Sequence, residues 1–314
     1  MTTSALPLVG AADAPRTPAA GILGTRGFEP GSALGRLFAP ARDFAAEAAV
    51  AQWVAGAPRR LLGELAEVGG LLPVRERERA AILAAWVEAL MATADESDAL
   101  ERRTARLNRS AYLLARALAG EPSDAPFVRA FAAESARRAF TRPALDALLG
   151  AARRRAERSR PRTVTEWDDE ARTIGESVAA ALAGMRSSVA TVEAAASLYR
   201  LLLLRGLPDG LAAGRVRLAE KSLPEPLQYR SREEISAAAA GECEAIRPLL
   251  LRGARALGEV PLTYRRPLAF LLSAAIALLG EIEVHPEALT RRAPRLSWWT
   301  RRATLWRVRR QPLD

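Results

Sequence analysis

Apolar residues recur at three- and four-residue steps along most of this chain. Ile82, Leu83, Trp86, Val87, Leu90 and Met91 share one side of a helical projection, with Arg75, Arg77, Arg79 and Glu88 on the other. Ile174, Val178, Leu182, Met185 and Val189 repeat the pattern, and Leu198, Tyr199, Leu202 and Leu203 do so again. No period-two alternation is long enough to predict a strand. Turn and helix-stop residues divide the periodic runs at Gly120–Asp124, Ser159–Arg162, Gly206–Gly210, Leu223–Pro226 and Val260–Pro261. The expectation is about eight to ten helices packed as one all-α domain, with no fixed-period repeat that would indicate a solenoid.

Residues 1–40 are rich in Ala, Gly, Pro and Thr without periodicity, and read as a flexible leader. The helical domain is placed at 41–310, with 311–314 as a tail. The longest apolar run, Leu268 to Gly280, is interrupted by Ser273 and followed by Glu281 and Glu283. It falls short of the ~18–20 apolar residues of a membrane span and reads as a buried core helix. The N-terminus lacks the charged-then-apolar layout of a secretory signal. These features point to a cytoplasmic protein, soluble or peripheral to a membrane.

Composition then narrows the chemistry. The 314 residues hold 46 Lys+Arg against 36 Asp+Glu, a net charge of +10, and Lys221 is the sole lysine. Arginine keeps its charge at any physiological pH and offers a planar fork of donors suited to phosphate and carboxylate. One histidine and one cysteine exclude Cys/His zinc sites and disulfides within a chain. A Ser-His-Asp triad would have to use His285, which Pro286 follows directly and which reads as an ordinary helix-end residue. The arginines at 102, 103, 106 and 109, and those at 153–155, read as solvated helix faces. Nucleic acid is not an expected partner, because no zinc-finger spacing, RNA-binding aromatic motif or basic zipper is present. The run Trp298 to Arg310 mixes Trp with Arg, a combination suited to a lipid headgroup interface.

Leu198-Tyr-Arg-Leu-Leu-Leu-Leu-Arg-Gly-Leu-Pro-Asp-Gly210, followed by Leu-Ala-Ala-Gly-Arg-Val-Arg-Leu218, resembles a motif of the squalene/phytoene synthase family. Members read there as LQLTNILRD, then VxED, a short spacer and GRVYLP. Arg205, Gly214, Arg215, Val216 and Leu218 match at the right spacing. Trp86 to Asp98, Arg162 to Glu170 and Tyr264 to Ala303 are similar in layout, so the resemblance spans roughly residues 75–308. It implies a single-domain isoprenoid-synthase-like helical bundle around a central cavity. It also implies head-to-head condensation of prenyl diphosphates assisted by magnesium, which neutralises the departing diphosphate. In the family, two DxxxD motifs on facing helices supply the carboxylates, each pair one helical turn apart.

The chain departs from that pattern at both motifs. The two aspartates of the second motif fall on Gly206 and Gly210, leaving Asp209, and Gly-Leu-Pro-Asp-Gly is a helix-stop signature that should end the helix near Arg205. At the first motif, Thr93-Ala-Asp-Glu-Ser-Asp98 keeps Asp95 at the first ligand position. The second ligand position becomes Ala99, and Asp98 points about a hundred degrees away. Glu96 and Asp98 read as solvated helix-end acids, and Trp167 to Glu170 as a helix N-terminus. Asp95 and Asp209 therefore remain as candidate metal ligands, and Arg205 and Arg215 as candidate diphosphate-binding residues. No catalytic residue is assigned.

Three readings stay open. The first is a squalene/phytoene synthase-like protein that lacks the usual condensation and needs no cofactor. It would bind an isoprenoid, a phospholipid anion or a homologous synthase partner, with peripheral membrane contact. The second is an active prenyltransferase or terpene synthase acting on farnesyl or geranylgeranyl diphosphate, with Mg2+ in an altered site. The third is a non-catalytic scaffold or assembly factor.

Overall fold

The computed structural model describes residues 28, 32–41, 43–137, 140, 142–158, 163–183, 188–212, 218 and 231–310. These form twelve α-helices and no strand among the described residues, in line with the predicted all-α class. The first half runs α1 (Ala33–Leu37), α2 (Phe44–Leu62), a 3-10 segment Gly63–Leu71, α3 (Val74–Ala94), α4 (Leu100–Leu118), α5 (Pro126–Arg137) and α6 (Arg142–Glu157). The second runs α7 (Val164–Ala183), α8 (Val189–Arg205), α9 (Leu207–Ala212), α10 (Arg232–Arg255), α11 (Leu262–Val284) and α12 (Trp298–Arg310), with 3-10 segments Ala256–Glu259 and Pro286–Thr290. Only α1 and α9 are shorter than 12 residues, which is why periodicity alone did not predict them.

Helix starts carry their own signals. Asp43 Oδ1 accepts from Ala46 N–H at 2.7 Å to open α2, Ser188 caps α8, and Ser231 with Glu234 forms a reciprocal capping box on α10. The apolar stripes of these helices build two clusters. One gathers α1, α3, α4, α5 and α6 around Trp86 and the rings of Phe38, Phe127, Phe131 and Phe140; Phe131 and Phe140 have centroids 4.8 Å apart. The other gathers α8, α10, α11 and α12 around Phe270, Leu278, Leu279 and Leu305.

Helices α7 and α8 join the two clusters. Ile174 and Ala181 of α7 enter the first, whereas Trp167 of α7 with Leu201 and Leu204 of α8 enters the second. Small residues let α8 sit close to both neighbours. A Cβ on Gly175 of α7 would lie 2.7 Å from the Ala196 nitrogen, and one on Gly253 of α10 would lie 2.3 Å from the Ala194 Cβ. The site described below lies along this seam.

Three features differ from the sequence expectations. The compact fold begins before residue 41, because Leu34, Leu37 and Phe38 are fully buried and Phe28 stacks on Phe38 at 5.3 Å. Arg79, expected on a polar face, is 2% exposed: its Nη2 donates to the Ala181 carbonyl at 2.7 Å, and its guanidinium covers the Phe140 ring at 4.5 Å. Arg106 and Arg155, expected on solvated faces, are also buried. The predicted core helix at 268–280 is α11, in which Phe270, Leu272, Leu278 and Leu279 have no exposed surface. By length and composition alone α11 is also long and apolar enough to cross a membrane.

Candidate functional site

Helix α3 ends at Ala94 and presents Asp95 as its C-terminal cap, directed toward the last turns of α6. There Arg155 continues the stripe Leu145, Leu148, Ala152, so its long side chain runs inward with the leucines. It meets Asp95 in a bidentate pair: Nε donates to Oδ1 at 2.9 Å, and Nη2 donates to Oδ2. Arg155 Nη1 donates to the Tyr199 hydroxyl at 2.7 Å and lies 3.6 Å from Glu170 Oε1. Tyr199 in turn donates to Glu170 Oε1 at 3.3 Å. Four helices, α3, α6, α7 and α8, thus converge on one guanidinium. Burial pulls the Arg155 pKa down, but Tyr199, Asp95 and Glu170 more than offset this and leave it raised, so the cation is permanent.

The position of this cluster follows from the helical repeat. Tyr199 stands seven residues before Gly206, about two turns along the same face of α8. The cluster therefore occupies the side on which the second acidic motif would stand. One residue further, Arg200 is 3% exposed; its Nη1 donates to Asp168 at 3.2 Å, its Nη2 donates to Glu242, and the guanidinium lies 5.1 Å from the Trp167 ring. Asp168 also accepts from Arg172 at 2.7 Å. The acids of 167–170 do stand near the start of α7, but Asp168 and Glu170 reach sideways to arginines of neighbouring elements.

The second motif closes as its sequence predicts. Helix α8 ends at Arg205 and Gly206 is its C-terminal cap. Asp209 is exposed in the first turn of the six-residue α9. The glycine at 206 is not dictated by crowding or by backbone, since its φ is −80° and an added Cβ would meet only the Leu202 and Leu203 carbonyls at 3.6 Å. A Cβ is therefore accommodated at this position without strain.

Arg205 is 15% exposed at the side chain and fully engaged. Its Nη1 donates to the Leu62 carbonyl at 2.8 Å, its Nε to the Pro294 carbonyl at 3.4 Å and its Nη2 to Glu64. Glu64 also accepts from Leu296 N–H at 3.2 Å, so the group ties α8 to the segment before α12. Gly63 makes room for it: its φ is +56°, and a Cβ there would fall 2.0 Å from Arg205 Nη2. Arg215, with Gly214, Val216 and Arg217, lies outside the described residues, as does Met185.

Glu96 and Asp98 are not simply solvated. Both pair with Arg106, Glu96 at 3.0 Å, and the hydrogen bond from Arg106 holds the Asp98 carboxyl below the usual carboxylate range. Among the described residues no three His, Cys, Asp or Glu side chains come together as a metal-holding group. Both Asp95 oxygens accept from Arg155, Glu170 accepts from Tyr199 beside the same cation, and positions 206 and 210 have no side chain. The described residues of this seam do not fit magnesium, which needs several oxygens converging with free lone pairs.

No protein-family model matches the sequence, and no curated protein sequence matches it either. Solved structures do match. A dehydrosqualene synthase in complex with ligand superposes with a TM-score of 0.67 at 14% identity, covering 85% of this chain and 97% of its own. Squalene synthase HpnC from Alicyclobacillus acidocaldarius gives 0.62 at 19% identity, covering 81% and 98%. The fold is squalene/phytoene synthase-like. YisP from Bacillus subtilis subsp. subtilis strain 168 also superposes, with a TM-score of 0.51 at 12% identity, covering 83% and 98%. A squalene/phytoene synthase-like bundle is thus kept at identities of 12–19%, with the seam between α3, α6, α7 and α8 closed by arginine.

Proposed function

We propose that this chain works in isoprenoid metabolism as a binding protein on the squalene/phytoene synthase-like fold, without magnesium-dependent head-to-head condensation. The observation that carries this reading is the bidentate pairing of Asp95 by Arg155, with Glu170 and Tyr199 beside it. A fixed guanidinium neutralises the acids from within the protein. Its donors are already committed to protein acceptors, whereas a bound magnesium would supply open positions to neutralise a departing diphosphate. Condensation by the family's usual route would need both a displaced Arg155 and carboxylates at positions 206 and 210, which hold glycine.

The ligand in this reading is a prenyl chain or its anionic headgroup, or else the chain pairs with a homologous synthase. A headgroup arriving at the end of α8 would be met by Arg205 and Arg215, and Arg205 would exchange Glu64 for it. The protein would act in the cytoplasm and meet membranes at their surface, where such lipids reside. The deciding experiment incubates the purified full chain with farnesyl or geranylgeranyl diphosphate and magnesium and analyses the extracted lipids. The expected outcome is no squalene, phytoene or presqualene-type product. Clean formation of any of these would sink the reading and establish an active transferase, one that uses Asp95 and Asp209 after release of Arg155.

A further inference from the structure

Helix α12 carries two stripes. At about 100° per residue, Thr304, Leu305 and Val308 fall on one side, and these are the residues buried against α11 and the second core. Trp298, Arg302, Trp306, Arg309, Trp299 and Arg310 fall within about 120° of one another on the other side. The three tryptophans, half of the chain's six, are 49%, 76% and 58% exposed. Arg302 lies over Trp298 at 5.5 Å and Arg310 over Trp306 at 3.9 Å, and Trp298 meets Trp299 edge-on at 4.5 Å. Residues 291–310 contain eight arginines and no Asp or Glu. Arg301 reaches back to Glu67 at 2.5 Å, which anchors the helix and leaves the Trp/Arg stripe facing outward.

We infer that this stripe docks the protein on an anionic phospholipid bilayer, with α12 lying in the headgroup plane. Indole rings favour the boundary between headgroups and acyl chains, and guanidinium groups favour lipid phosphates at the same depth. The burial of Thr304, Leu305 and Val308 holds the helix parallel to whatever surface its outer stripe meets. A second copy of the chain is a poor occupant, because a two-fold contact would set this acid-free arginine cluster against itself. Nucleic acid is disfavoured because one face of Trp298 and one of Trp306 already carry a guanidinium, leaving less ring surface for base stacking.

The inference deepens the membrane contact of the proposed function and rests on nothing at the Asp95 cluster. Its test is cosedimentation of the full chain with vesicles of phosphatidylcholine, with and without phosphatidylglycerol, at low and high salt. Phosphatidylglycerol should raise the bound fraction's partition coefficient by about tenfold or more, and salt should reverse it. The triple variant Trp298→Ala, Trp299→Ala, Trp306→Ala should lose about tenfold on anionic vesicles. Arg302→Gln with Arg310→Gln should lose most of the preference for phosphatidylglycerol. All changed residues are exposed, so the melting temperature and farnesyl diphosphate binding should stay unchanged. Equal partition to both vesicle types, wild-type binding by the tryptophan variant, concentration-dependent dimerisation through the stripe, or duplex DNA outcompeting the vesicles would each overturn the inference. A condensation product in the previous assay would leave the vesicle result intact.

Discussion

Arg155 reaches α8 from α6 and closes on Asp95, Glu170 and Tyr199, whereas Arg205 leaves α8 itself and closes on Glu64 and the carbonyls of Leu62 and Pro294. The first is surrounded by two carboxylates and a phenol, drawn from three other elements. The second is surrounded mostly by backbone oxygens. An arginine among carboxylates neutralises charge that would otherwise need a metal or a proton, and its removal leaves those charges buried. An arginine among carbonyls joins segments, and its removal leaves weaker acceptors that lie nearer to water. The difference assigns the electrostatics of the seam to Arg155, and to Arg205 the joining of α8 to the segments after α2 and before α12.

That contrast is easiest to break at Arg155. Arg155→Ala should cost about 3–5 kcal/mol, because it uncovers Asp95 and Glu170 together. A fall of roughly 10 °C in Tm would register it. Combining it with Asp95→Asn should recover about 1–2 kcal/mol relative to the sum of the single changes, measured by denaturant unfolding. Additive effects would mean that the pair is not coupled. Gly63→Ala comes next, at about 2–3 kcal/mol, from a φ of +56° and a Cβ in the space of the Arg205 guanidinium. In an Arg205→Ala background the steric part should vanish while the backbone part remains.

Arg205→Ala alone should cost about 2 kcal/mol, since Glu64 keeps the Leu296 N–H. A loss as large as that at Arg155 would erase the distinction between the two sites. Cys243 offers an internal reporter in the second cluster. Burial, with Glu283 and Glu242 nearby, pushes its thiol up to about 12, so thiol reagents at neutral pH should label it only through opening. Labelling should accelerate in both Arg205→Ala and Gly63→Ala.

The smallest effect is expected at Asp98. Its folded carboxyl lies below the unfolded value because of Arg106, so its contribution is present above the usual carboxylate pKa and is lost as pH falls through the folded one. Asp98→Asn should therefore flatten the acid limb of a stability-versus-pH curve and leave the neutral region nearly unchanged. An unaltered acid limb would assign the acid sensitivity to other carboxylates.

Much of the fold was legible because helices announce themselves by repetition. The run at 268–280 became α11, and α8 ended at Arg205 as the helix-stop residues predict, although Leu207–Ala212 re-enters a helix as α9 instead of forming a turn. Five-residue α1 was not, since a single turn shows no period, although Leu34, Leu37 and Phe38 are fully buried. The buried arginines were misread for a different reason. Reading 153–155 as a charge run hid the register: Arg155 follows Leu145, Leu148 and Ala152 at core spacing. Arg79 precedes Ile82, Leu83 and Trp86 in the same way, as Arg106 precedes Ser110 and Leu114. Periodicity marks an inward position whatever residue holds it. The acid that meets an inward arginine comes from another helix, 60 residues away in the case of Asp95 and Arg155, and local pattern does not reach that far.

The central claim is that a protein cation stands where magnesium would be needed. Calorimetric titration of farnesyl diphosphate into the full chain, once with magnesium and once with a chelator, addresses it directly. The account predicts the same affinity and heat under both conditions. An affinity that rises tenfold or more with magnesium would contradict it, and would mean that Arg155 yields Asp95 to the metal.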